Sequence, residues 1–208
     1  MNREQRKALG GALRRRMAAR NAQRRNDVVR AAYHLLAEKG FEGLRMREIA
    51  ERAGMDHATL HYYFKGKEAL IHGVLDYIVR ELSIGRSSAI EAPGIGPQER
   101  LAAHFDELVR QMRERPEMFL VLAEINARSM RDLKVHSVVA ENDRRWKRFL
   151  MQIVKEGIQK QEFHSGLGPE VAVDAIIAMV RGLSVTYTRR PEAMERTLRQ
   201  LRIWLEAK

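Results

Sequence analysis

The stretch "LRMREIAERAGMDHATLHYYFKGKEAL", residues 44–70, decides how the chain is read. Two short apolar-patterned segments flank "AGMD" at 53–56. Gly54 stops the first, near Met46 to Ala53, and Asp56 offers a side-chain cap for the second. On a helical wheel, Leu60 and Phe64 share an inner face. Ala58 and Tyr62 lie opposite, with Thr59 and His61 on the flanks. The outward face is small at one point and rich in donors, acceptors and rings elsewhere. An α-helix fits the major groove of B-DNA, about 12 Å wide. Ala58 permits close approach and can touch a thymine methyl. His57 and Thr59 can bond base edges or phosphate, and His61, Tyr62 and Lys67 can reach phosphates.

Outward from this segment the spacing stays helical and nothing reads as a strand, so the expected class is all-α with about nine helices. Asn26 or Asp27 can cap a first helix, with Val28, Val29, Ala32, Leu35 and Leu36 inward and Gly40 ending it. A fourth starts near Lys67 and runs to Leu82. "SSAIEAPGIGP" (87–97) reads as a loop. Further helices are expected over about 98–115, from Pro116, over 131–161, from Pro169 and from Pro191. "HSGLGP" (164–169) breaks the third of these. The organisation expected is an arm at 1–24, a helix-turn-helix head at 25–70 and a helical body at 71–208.

The 208 residues carry a formal net charge of +11. Residues 1–25 hold nine basic residues and one acid, so +8 of it sits there. A basic end on a nearly balanced body points to a polyanionic partner. Arg14, Arg15, Arg16 and Arg24 are candidates to hold phosphates or enter the minor groove. Leu9, Leu13 and Met17 fall at four-residue steps, so the arm can instead prolong the first helix backwards, although Gly10-Gly11 weakens that. A membrane-surface role has only those three apolar residues to anchor it. There is no cysteine, so no disulfide or thiolate metal site is available. No run of eighteen apolar residues is present and the N-terminus lacks a signal-peptide stretch, which makes a cytoplasmic protein the expectation.

The same segment, with "GF" at 40–41, resembles the DNA-binding signature of TetR-type transcriptional repressors. In that family, the positions matching His57, Ala58, Thr59, His61, Tyr62 and Lys67 face double-stranded DNA. Arg45 stands where threonine or serine usually caps the second helix; it cannot cap that way but can grip a phosphate. Arg47 joins it as a candidate contact. His61 replaces the usual tyrosine, and Tyr63 stands where histidine is common. The resemblance implies a homodimer formed by the last two helices, for which Val173, Ile177, Val180, Met194, Leu198, Leu201 and Leu205 are the candidate interface. It also implies a small-molecule effector held in the body. Phe105, Leu108, Met112, Phe119, Leu122, Trp146, Phe149 and Met179 are candidate lining residues, with His104, Asn126 and Asn142 as polar anchors.

Other chemistry finds little support. His57 and His61 have metal-ligand spacing, but Ala58 stands where a zinc protease needs glutamate, and no third ligand is evident. His164-Ser165 lacks a strand-turn-helix setting. No cofactor is expected and no set of acid, base and oxyanion donors assembles. The reading is a DNA-binding regulator, a ligand-responsive repressor acting as a homodimer on a near-palindromic operator. An architectural, low-specificity DNA binder using the basic arm is the alternative. A helical enzyme or carrier that kept the head is the other.

Overall fold

A computed structural model describes residues 3–82, 94–166 and 168–207. Within them lie nine α-helices: α1 (Arg3–Lys39), α2 (Met46–Arg52), α3 (His57–Tyr63), α4 (Lys67–Glu81), α5 (Pro97–Glu114), α6 (Pro116–Ser129), α7 (Leu133–Gln159), α8 (Pro169–Thr186) and α9 (Pro191–Leu205). A 3₁₀ turn, Phe41–Gly43, joins α1 to α2. Residues 87–93 of the expected loop lie outside the described residues. The chain forms two compact units that divide between Val74 and Leu75.

In the first unit, α1 is one helix where the sequence suggested an arm and a capped start. The expected cap at Asn26 or Asp27 does not form. Asp27 instead accepts a hydrogen bond from Gln23 Nε2, one turn back, at 2.8 Å. Residues 12–25 are mostly alanine and arginine, two of the best helix formers, so the helix runs on. Val28, Val29, Ala32, Leu35 and Leu36 are buried, as are Ile49, Leu60, Phe64, Leu70 and Ile71. α4 packs close here: a Cβ on Gly73 would lie 2.9 Å from Val29 Cγ2 and 3.1 Å from Phe64 Cε1.

In the second unit, α5 packs on α7 and α9, and α7 on α6 and α8. Proline opens α5, α6, α8 and α9 at the first turn, where a missing N–H costs nothing. Gly96 gives α5 no side-chain cap, and the Glu162 carboxylate supplies one by accepting from Gln98 N–H at 2.9 Å. The break after α7 is clamped to the end of α9 by two backbone bonds, His164 N–H to Leu205 O at 3.1 Å and Ala207 N–H to Glu162 O at 3.0 Å. Among the described residues no helix is long and apolar enough to cross a membrane.

Candidate nucleic-acid interface and ligand cavity

The turn between α2 and α3 is built by glycine and aspartate. Gly54 has φ +62°, a left-handed conformation that glycine adopts without penalty. Its N–H bonds Glu51 O at 3.1 Å and the Met55 N–H bonds Ala50 O at 3.0 Å, which closes α2 in a Schellman motif. Asp56 then caps α3: one carboxylate oxygen accepts from the Thr59 N–H and the other from the Thr59 hydroxyl, both at 2.7 Å. These bonds, the backbone one first, hold the Asp56 carboxyl below its ordinary range. The Thr59 hydroxyl proton is thereby committed, which leaves its oxygen free to accept.

The outward face of α3 is the expected one. Leu60 and Phe64 are fully buried, while Tyr62 is 71% exposed and His57, Ala58, His61 and Lys67 are exposed. The His57 and His61 rings meet edge to face at 4.5 Å, one turn apart. Arg45 is exposed at the head of α2 and makes no side-chain cap bond. Arg47 is exposed and paired with Glu51 at 3.3 Å.

Tyr63 departs from expectation. It is half-buried, its hydroxyl donates to Asn21 Oδ1 of α1 at 3.3 Å, and its carbonyl accepts from Arg25 Nη1 at 3.3 Å. The Arg25 guanidinium also sits 4.4 Å over the Phe64 ring. Tyr63 therefore ties α3 to α1 and leaves the outward face to its neighbours. Arg14, Arg15 and Arg16 are exposed and Arg24 is half-buried, all on α1.

The second unit holds a cavity of about 400 Å³. Six of the expected lining residues meet there: Leu108, Phe119, Leu122, Asn126, Asn142 and Trp146. Five do not. Phe105 and Met112 are consumed by the core, and Phe149 and Met179 lie off the cavity. His104, expected to be a polar anchor, is only 1% exposed; its Nε2 accepts the Trp146 indole N–H at 3.1 Å. It thus holds a wall residue from behind. Leu75 and Val79 of α4, and Leu82 just past its end, line the cavity too, which the helix expected from Lys67 to Leu82 did not announce. Missed as well are Asp143, Arg181 and Ser184, where the Arg181 guanidinium bonds the Asp143 carboxylate across α7 and α8. Residues far apart in sequence converge there, and no spacing announces it.

Burial holds the His104 imidazole down to about 4, against a small opposing pull from Glu107. Below the ordinary histidine range near 6.5 the unfolded chain takes up a proton that the folded chain refuses. Stability conferred at neutral pH is therefore lost progressively as pH falls from about 6.5 to about 4, by roughly 3 kcal/mol in all. A His104→Gln variant keeps an acceptor for Trp146 but does not titrate. Its denaturant midpoint between pH 7 and pH 4.5 is expected to fall less than that of the unsubstituted chain; equal falls would contradict the assignment.

The candidate interface on α8 and α9 is corrected. Val173, Val180, Met194, Leu198, Leu201 and Leu205 are buried within one chain and Ile177 is half-buried, so these stripes are the chain's own core. The exposed face of α8 instead carries Val171, Ala175, Ala178, Gly182 and Val185, at steps of four, three, four and three residues. On α9 the exposed apolar residues are Ile203 and Trp204, the latter 60% exposed.

Residues 28–74 match the model described as bacterial regulatory proteins, tetR family, and residues 97–207 match that of the BetI-type transcriptional repressor C-terminal region. The chain belongs to the TetR family. It is a helix-turn-helix, DNA-binding transcriptional repressor. Among TetR-family relatives, the HTH-type transcriptional repressor KstR2 of Mycolicibacterium smegmatis is 25% identical over 161 residues, 77% of this chain and 75% of that one. The HTH-type transcriptional regulator BetI of Brucella suis is 34% identical over 80 residues, 38% of this chain and 40% of its own. In fold, the chain is similar to the transcriptional regulator FadR of Bacillus subtilis in complex with stearoyl-CoA, with a TM-score of 0.75 and 20% identity over 86% of this chain and 98% of that one.

Proposed function

We propose that two copies of the chain pair through the exposed faces of α8 and α9 and set their α3 helices in successive major grooves, about 34 Å apart, on a near-palindromic operator. Ala58 lets α3 approach the base edges. His57 and the Thr59 oxygen meet those edges, and His61, Tyr62, Lys67, Arg45 and Arg47 fix register on phosphates. The reading rests on the outward face of α3, where polar and aromatic side chains stand exposed around one alanine on a helix whose start is pinned by Asp56. The small residues Ala175, Ala178 and Gly182 suit close helix approach, and Val171, Val185, Ile203 and Trp204 supply apolar area.

The cavity takes the effector. Its apolar side, from Leu75, Val79, Leu122 and Trp146, suits a hydrocarbon or ring body. Asn126, Asn142 and Ser184 offer hydrogen bonds to a polar end. Because α4 carries both Leu75 and Val79 of the cavity wall and Leu70 and Ile71 of the head core, it is the element through which ligand biases the heads. To act as a full switch the ligand must distinguish the two states by several kcal/mol.

The test is competition between a duplex selected from random DNA by the full chain and a scrambled duplex of the same composition. A preference of about 10³ or more is expected of a regulator. Equal binding to both would favour an architectural role and overturn this reading.

A further inference from the structure

The first unit holds its arginines in two different states. Arg47 is paired with Glu51, and Arg52 with Glu38 and Glu48. By contrast, Arg14, Arg16, Arg20 and Arg24 of α1 form no ion pair among the described residues. Four guanidinium groups are thus carried without a counter-charge on a segment that holds most of the chain's net charge.

Their place is set by the contacts of α1 with α3. Asn21 and Arg25 bond Tyr63, the last residue of α3, so α1 passes the C-terminal end of that helix at residues 21–25. Everything N-terminal of Asn21 continues past it. At 1.5 Å per residue Arg14 lies about 10 Å beyond Asn21, and the start of α1 at Arg3 about 27 Å beyond. Arg14, Asn21 and Arg25 follow one another at steps of seven and four, which places Arg14 on the side of α1 that meets α3. Arg16, Arg20 and Arg24, at steps of four, form a second line that turns from the adjacent flank at Arg24 toward the far side of α1 at Arg16. Ala19 and Ala22 fall on the other side. Exposed arginines without an ion pair among the described residues therefore stand on more than one side of the part of α1 that continues past α3, with Arg15 on the side of Ala19 and Ala22.

We propose that the N-terminal half of α1 is a rigid strut that grips phosphates beyond those spanned by α3, through Arg14, Arg16, Arg20 and Arg24. It does not read a minor groove: an α-helix with its side chains is about 10–12 Å across, and that groove is about 6 Å wide. The strut adds affinity without sequence information, because phosphates are the same at every step. Its placement rests on α3 being the helix that enters the groove. Its contribution, however, is measurable on any duplex.

The experiment uses the full chain on a 40-base-pair selected duplex and on its scrambled counterpart, from 50 to 300 mM KCl. In one variant Arg14, Arg16, Arg20 and Arg24 are all replaced by glutamine, which keeps the helix and removes four charges. A second, Ala18→Pro, keeps Arg14 and Arg16 but breaks the helix between them and Asn21. The glutamine variant is expected to flatten the slope of log K against log salt by roughly 3 to 4 on both duplexes. Its affinity at 50 mM should fall at least tenfold and its preference for the selected duplex should stay within twofold. Ala18→Pro should lose about half of that slope.

Unchanged slopes in the glutamine variant would overturn the strut, and so would a lost preference for the selected duplex, since that means the arginines read sequence. Full activity of Ala18→Pro would also overturn it, by showing that a loose tail suffices. Intact DNA binding by the glutamine variant with lost attachment to phosphatidylglycerol vesicles would assign the arm to membranes instead. If the unsubstituted chain shows no preference between the duplexes, the regulator reading fails, while the slopes still decide the strut.

Discussion

Replacing Ala58 by aspartate should abolish operator binding while leaving the protein folded. Ala58 is exposed at the second position of α3, so a larger side chain meets no neighbour there. A carboxylate in the first turn of a helix is, if anything, favourable to it. In the groove the same carboxylate faces base edges between two rows of phosphates. Like-charge juxtaposition in an interface costs several kcal/mol, and each 1.4 kcal/mol is a factor of ten. At least a hundredfold loss is expected, read by fluorescence anisotropy of a labelled operator, with an unshifted melting temperature. Near-normal binding by a folded Ala58→Asp protein would mean that α3 does not enter DNA.

The second large effect concerns pairing. Ala178 lies at the middle of the exposed α8 stripe, between Ala175 and Gly182. An arginine there has room in one chain but none between two closely packed α8 helices. Ala178→Arg is expected to sediment as a monomer at micromolar concentration. Its affinity for a full operator should fall by about 10²–10⁴, because the second head no longer binds as an intramolecular event. Trp204 gives a parallel signal, since an exposed indole that becomes covered on pairing shifts its emission to the blue. A variant that still sediments as a dimer would move the interface to another face.

What the sequence revealed and what it hid follow from the range of the interactions involved. The head was readable because its determinants are local. Asp56 caps three residues downstream, Gly54 turns the chain at one position, and Leu60 and Phe64 are one turn apart. Tyr63 was misplaced because its partner, Asn21, is 42 residues away. The arm was hard to assign because alanine and arginine favoured helix while Gly10-Gly11 and the apparent cap at Asn26-Asp27 argued against it.

The last two helices misled in a different way. Met194, Leu198, Leu201 and Leu205 make the stronger apolar stripe, and a chain spends its strongest stripe on its own core. The exposed stripe on α8 is mostly alanine and glycine, which carry little hydropathy signal although small residues are what closely packed helices need. The cavity was half legible. Its aromatic and leucine lining stood out, while α4 and the Asp143–Arg181 pair reach it only through packing.

Hydroxyl-radical footprinting of the full chain on its selected duplex tests the central claim most directly. Two protected patches are expected on one face of the DNA, related by a two-fold axis and centred one helical turn, about 34 Å, apart. A single patch, or uniform protection along the whole fragment, would contradict it.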